Sequence, residues 1–193
     1  MPNRHKLFLK QAPMIALTIV FFASFAACAG PKEDIRTAFL HELAASDKGG
    51  RYTALLESQQ QAFQAYPVDD PALSQALAAA KEDYYAPFQP MTDAHMFETL
   101  QQNSFPVYVD KTAGDAGVVA EPGKVTYEKL SESDGKTFYA YEMKLVLTKG
   151  SDRRDIVVAG QIATIKAEGD LKVAAFRFDD GGIFAKAVAE LGG

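Results

Sequence analysis

A single cysteine, three histidines and no tryptophan mark this chain of 193 residues. One cysteine excludes an intramolecular disulfide framework and any zinc or iron–sulfur site built from several thiolates. His5 sits in a basic start, and neither His41 nor His95 has a histidine four residues on or an ExxH-type neighbour, so no metal centre is expected. Positive charge is also short: 20 Lys and Arg stand against 25 Asp and Glu. The resulting −5 has the wrong sign for a nucleic-acid footprint. A phosphate-cradling loop is missing, because Gly49-Gly50 and Gly181-Gly182 lack the further glycines and the lysine. No serine stands in a G-x-S-x-G context, so no nucleophile elbow is expected. Nothing in the composition calls for a cofactor.

What is present starts with an address. Residues 1–10 carry Arg4, Lys6 and Lys10 and no acid, and an uncharged apolar run follows over 14–27. A basic start, a short apolar run and small residues at its end have the form of an export signal. The run falls short of the ~20 residues that a permanent membrane span needs. Ala26 and Ala27 come directly before Cys28. This segment resembles a bacterial lipobox, with Phe25 in the place of the usual leucine. The resemblance implies cleavage before Cys28 and acylation of the new N-terminus, and a thioether would also protect a lone exported thiol from intermolecular pairing. Two or more acyl chains, at ~0.8 kcal/mol per buried CH₂, make a stable anchor. Ala29 rather than aspartate after the cysteine implies, by the same resemblance, the periplasmic face of the outer membrane. Loss of residues 1–27 removes three positive charges and takes the formal charge from −5 to −8. Such a body is held at anionic lipid by its tether, not by its surface.

The expected organisation is a signal over 1–27, a lipidated tether over 28–30 and one α+β domain over 31–193. Ile35, Phe39 and Leu43 recur at helical spacing and predict a helix over about 31–45. Tyr52, Leu55, Leu56, Gln59 and Phe63 share one side of a second, over about 51–64. Asp70-Pro71 is a helix start, and Leu73, Leu77, Ala80 and Tyr84 line the helix that follows. A fourth helix is expected from a Thr92 cap, stapled by Met91 and Met96, to about 102. From Phe105 onward the period becomes two, with Val107-Tyr108-Val109 as a weak edge strand. Tyr139, Tyr141, Met143, Leu145 and Leu147 then alternate with Ala140, Glu142, Lys144, Val146 and Thr148 as a half-buried strand. Turn chemistry at Ser133-Asp134-Gly135, Lys149-Gly150-Ser151-Asp152 and Glu168-Gly169-Asp170 joins four antiparallel strands over 124–178. Ile183, Phe184, Ala187, Val188 and Leu191 suggest a short closing helix. The fold expected is therefore α+β, with N-terminal helices over about 31–102 packed on a curved antiparallel meander over about 105–178. Helices followed by a meander that ends in GQIATIKAEGDLKVAAFRFDD resemble the nuclear transport factor two-like, cone-shaped superfamily. A tryptophan near Lys172-Val173, frequent in that superfamily, is absent here.

No catalytic residue is assigned. The acid pairs Asp69-Asp70, Glu82-Asp83 and Asp179-Asp180 point apart on a helix or across a strand. The aromatic residues are the suggestive group: Tyr84, Tyr85, Phe88, Tyr139, Tyr141, Phe176 and Phe178 would line one pocket if the sheet curves around the helices, or else fill the core. The function expected is that of a non-enzymatic envelope lipoprotein, attached to the membrane through its N-terminal lipid and binding an envelope protein or a small apolar ligand. A small cone-fold enzyme of the isomerase or hydrolase type, with a buried Asp and Tyr, is the alternative.

Overall fold

Asp34 opens the first helix, its carboxylate accepting the Arg36 N–H at 2.9 Å. The computed structural model describes residues 33–179 and 182–193; the export segment, Cys28 and Pro31, and Asp180 and Gly181 of the last turn, lie outside them. Helix α1 is Ile35–Ala44, later in its start than the expected 31, because Glu33 and Asp34 stay extended as cap and approach. Phe39, Leu40, Leu43 and Ala44 of this helix are almost wholly buried. Helix α2, Arg51–Ala65, follows a 3₁₀ turn at Lys48–Gly50. Its capping carboxylate reaches across that turn: Asp47 Oδ1 accepts the Tyr52 and Thr53 N–H groups at 2.7 and 3.1 Å. Helix α3, Pro71–Tyr85, starts as its sequence predicts, with Asp70 accepting from the Ala72 N–H at 2.8 Å.

Two further starts differ from expectation. Helix α4, Ala94–Asn103, is capped by Asp93 rather than Thr92, because the aspartate accepts the Met96 N–H at 2.7 Å. Thr92 instead bridges to Val173 and covers the edge of the last strand. The second difference is larger. Residues 107–109 form no strand; they belong to helix α5, Phe105–Asp115, so the helical part extends to 115 and the sheet begins at 119, not 105. Ser104 turns the chain with φ 53°, and Pro106 occupies the first turn, where its missing N–H costs nothing. Pro106, Val109, Asp110 and Ala113 are buried at helical spacing, and that tertiary burial outweighs the β preference of the two valines.

The sheet is a four-stranded antiparallel meander in the order β1 (Val119–Ser133), β2 (Lys136–Lys149), β3 (Asp152–Ala167), β4 (Asp170–Asp179), and it is not closed. The β1–β2 turn uses Asp134 and Gly135, both at positive φ, which matches the twist of the strands it joins. Tyr141, Met143, Leu145 and Leu147 of β2 and Ile156, Val158 and Ile162 of β3 enter the core, while Glu142, Lys144 and Val157 face water. Register shifts at Pro122/Val125, Lys129/Ser131 and Ala163/Thr164 interrupt the ladders and favour curvature there. Gly160 lies opposite Tyr141 and Phe178. A Cβ there would stand 2.1 Å from the Arg177 carbonyl and 2.6 Å from the Tyr141 hydroxyl, so no larger residue fits. Helix α6, Ile183–Gly192, closes the chain against β2 and β3 with Phe184, Ala187 and Val188 buried. Helices and sheet thus form the expected α+β arrangement, with α1 between β1 and β4 at its centre.

Candidate functional site

The chemistry of the interior gathers where α3 and α5 meet the turn into α2. Asp110, 3% exposed on α5, accepts the Asp47 N–H at 2.6 Å on Oδ1 and the Tyr84 hydroxyl on Oδ2. Burial pushes its carboxyl above the ordinary range, against the opposing pull of Tyr84, the Asp47 N–H and Arg51. Burial and the adjoining Asp110 hold the Tyr84 phenol far above its ordinary pKa, so it stays a donor. One helical face away, Glu42 receives Lys48 at 2.8 Å and the Arg51 guanidinium. Burial alone would raise the Glu42 pKa; the two cations overcome it and hold the group below its usual value. Arg51 stacks over Tyr84 and Phe88, 5.0 and 5.5 Å from their ring centres.

Two buried polar atoms near this network have no hydrogen-bond partner: Arg51 Nε and the Tyr85 hydroxyl. Burial raises the Tyr85 pKa against the opposing pull of Ser104, which stands beside the phenol without reaching normal hydrogen-bond geometry. Tyr85 and Ser104 together line an open groove of about 500 Å³ between α2, α3 and α5. A second groove, about 560 Å³, runs on the other side of Tyr52 and Leu56 towards Asp47 and Asp110. Tyr84 does not border it, so the Asp110–Tyr84 pair presents no joint face to a solute. A further hollow lies at the hairpin ends, between the 133–135 turn and Lys166, and holds no buried polar group without a partner.

The seven aromatic residues divide rather than line one pocket. Tyr84, Phe88 and Tyr141 are closed into the core, with Phe88 edge-on to Phe39 at 5.9 Å. Tyr85 is buried equally but reaches the first groove with its edge. Tyr139 pairs with Tyr127, and the Arg36 guanidinium lies 4.2 Å from each ring centre. Phe176 and Phe178 meet Phe105 and border a small hollow of about 160 Å³ beside α4. His41 is structural, its ring bonded to the Gly123 carbonyl at 2.9 Å, and His95 is exposed on α4.

Asp110, Asp47, Arg51 and Glu42 were not among the candidates drawn from the sequence. Their signal is an acid or base embedded in apolar spacing: Glu42 between Leu40 and Leu43, Asp110 between Val109 and Ala113. Among the described residues no group of three or more His, Cys, Asp or Glu side chains is placed to hold a metal ion. No described helix is long and apolar enough to cross a membrane. Comparison with protein-family models, with curated proteins and with solved structures returns no match.

Proposed function

We propose that this chain is a non-enzymatic lipoprotein of the bacterial cell envelope, tethered through Cys28 at the periplasmic face of the outer membrane, whose α+β domain docks a membrane-proximal protein. The observation that carries the docking half is the outer face of α2, where Leu56 and Phe63, two turns apart, are 47% and 58% exposed beside the groove. Val68, just past the helix, is also exposed. Large apolar side chains grouped in this way cost solubility unless a partner covers them. The enzyme alternative has its Asp and Tyr, but Asp110 is 3% exposed with a structural donor on each oxygen, and Tyr84 is shut from solvent. A general base needs a free lone pair within reach of substrate. The tether rests on the Ala26-Ala27-Cys28 sequence.

The test has two arms. Radiolabelled palmitate should enter the wild-type chain and not Cys28→Ser, which should lose membrane association or stall in processing; an unlabelled, soluble wild type overturns the tether. A photocrosslinking residue at position 63 should trap one envelope protein that the same residue at Ala159, on the outer sheet face, does not. Equal crosslinking at both positions, or none at 63, overturns docking through α2.

A further inference from the structure

Three helical stripes converge on the groove that Tyr85 borders. Helix α2 contributes Tyr52, Leu55, Leu56 and Gln59, spaced 3, 4 and 7 residues from the first. Helix α3 contributes Lys81 and Tyr85, one turn apart, with the Lys81 ammonium 5.9 Å from the Tyr85 ring centre. Helix α5 contributes Val107 and Lys111, and Ser104 just before it completes the lining. The walls are thus aliphatic, the rim is cationic and the floor carries hydroxyls. Its volume of about 500 Å³ lies inside the ~300–1,000 Å³ of small-molecule sites.

Three independent features at one end of this groove call for an acceptor. The Tyr85 hydroxyl is buried and, with Ser104 beside it, has no partner at normal hydrogen-bond geometry, a state that an incoming acceptor relieves. Ser104, the residue before α5, makes no side-chain cap bond, so the positive end of an 11-residue helix is left without its usual internal oxygen. Lys81 stands at the rim with the Tyr85 ring as its neighbour and enters no ion pair among the described residues. Lys111, the other rim cation, is already matched by Asp115 at 2.5 Å. Asp110 does not line this groove and has Arg51 as its own cationic neighbour. One net positive charge therefore remains for a ligand, and a single negative charge answers it.

We infer that this groove binds a monoanionic amphiphile, a carboxylate with a short aliphatic tail, its head between Tyr85, Ser104 and Lys81 and its tail along Leu55, Leu56 and Val107. A phosphate dianion would ask for a second unmatched cation, which the rim does not supply. The inference rests on the reading of the domain as a binding module, but needs neither the Cys28 tether nor the Phe63 contact.

The probe is octanoate labelled with ¹³C at the carboxyl, titrated into the full chain and followed by its carboxyl chemical shift. Octanol, with the tail alone, and acetate, with the head alone, are the comparisons. Saturable binding of octanoate, with acetate and octanol each weaker by about tenfold or more, is the expected result. Lys81→Gln, a surface change, should weaken octanoate about threefold and leave octanol unmoved. Tyr85→Phe should weaken octanoate about tenfold while the thermal midpoint holds or rises, since it deletes an unpaired buried hydroxyl. No saturable octanoate binding, equal binding of octanol, or an unchanged octanoate affinity in both variants overturns the site. These outcomes are separate from the palmitate and crosslinking results, so either reading can fail while the other stands.

Discussion

The Tyr84 hydroxyl donates to Asp110, and the same carboxylate receives the backbone N–H of Asp47 at 2.6 Å on its other oxygen. One side chain on α5 thereby joins α3 to the turn that caps α2. Asp110→Ala leaves two buried donors unmatched and should destabilise the fold by about 3 kcal/mol in urea unfolding. Asp110→Asn should cost clearly less, because its carbonyl still accepts from Asp47 and its amide meets the Tyr84 oxygen. Equal losses in the two variants would show that the carboxylate's hydrogen bonds are not what holds the joint.

The two buried acids should leave opposite marks on the pH profile. Burial raises the Asp110 pKa above 3.8, so between that value and the raised one the folded state holds more protons than the unfolded state. Its contribution falls as pH rises through the folded pKa. Glu42 is held below 4.5, so its contribution is full above that value and is lost as pH falls through its folded pKa. Thermal midpoints from roughly pH 3 to pH 8 should show Asp110→Asn gaining on the wild type as pH rises. Glu42→Gln should flatten the acid limb instead.

Arg51 is shielded on one side by Tyr84 and Phe88 and paired on the other with Glu42, whose side chain is 11% exposed. Glu42→Ala strands a nearly buried guanidinium and should cost about 3 kcal/mol. Replacing both residues together, Glu42→Leu with Arg51→Met, should recover much of that loss, since the pair rather than either charge is the unit. Chemical denaturation of Glu42→Leu, Arg51→Met and the double variant forms the double-mutant cycle; purely additive losses would count against the pairing.

Gly160→Ala places a methyl group within 2.1 Å of the Arg177 carbonyl, which is backbone and has no rotamer to yield. The β3–β4 ladder must open, and the Tyr141 ring must shift as well. A loss of more than about 2 kcal/mol is expected, measured as a fall in urea midpoint. Gly123→Ala, whose Cβ would meet a carbonyl at 3.3 Å, is the milder comparison. Similar midpoints for both would mean that the ring of Tyr141 is freer than its packing implies.

Most of the architecture was readable from residues 33–193. The β2 alternation from Tyr139 to Leu147, the Asp70-Pro71 start and the Phe184–Val188 stripe each carry one dominant period or cap, and each became the expected element. The α5 segment misled because Val107-Tyr108-Val109 scores as strand in isolation, while the evidence for a helix sat in Pro106, Asp110 and Ala113 and in what they pack against. That error also concealed the site, since Asp110 lies on the helix that the strand reading left out. The aromatic residues fall into separate clusters, one around Phe88, one around Tyr139 and one around Phe105. Sequence spacing tells which residues share an element, but which elements touch is decided by the register of β3 on β4 and by the Ser104 turn.

The ring of Phe39, in the first helix, lies edge-on to that of Phe176, in the last strand, at 5.5 Å. The Phe176 side of this cover therefore exists only once nearly the whole polypeptide has left the ribosome, although Phe88 reaches Phe39 earlier, and loop closure over the longer separation is slow. A product truncated after Ala167 would keep three strands and the Phe88 contact yet lack the β4 side of the cover over Phe39. Until β4 arrives, that apolar surface is exposed to clumping. Delayed closure of this kind also keeps a polypeptide thin enough to be threaded through a pore.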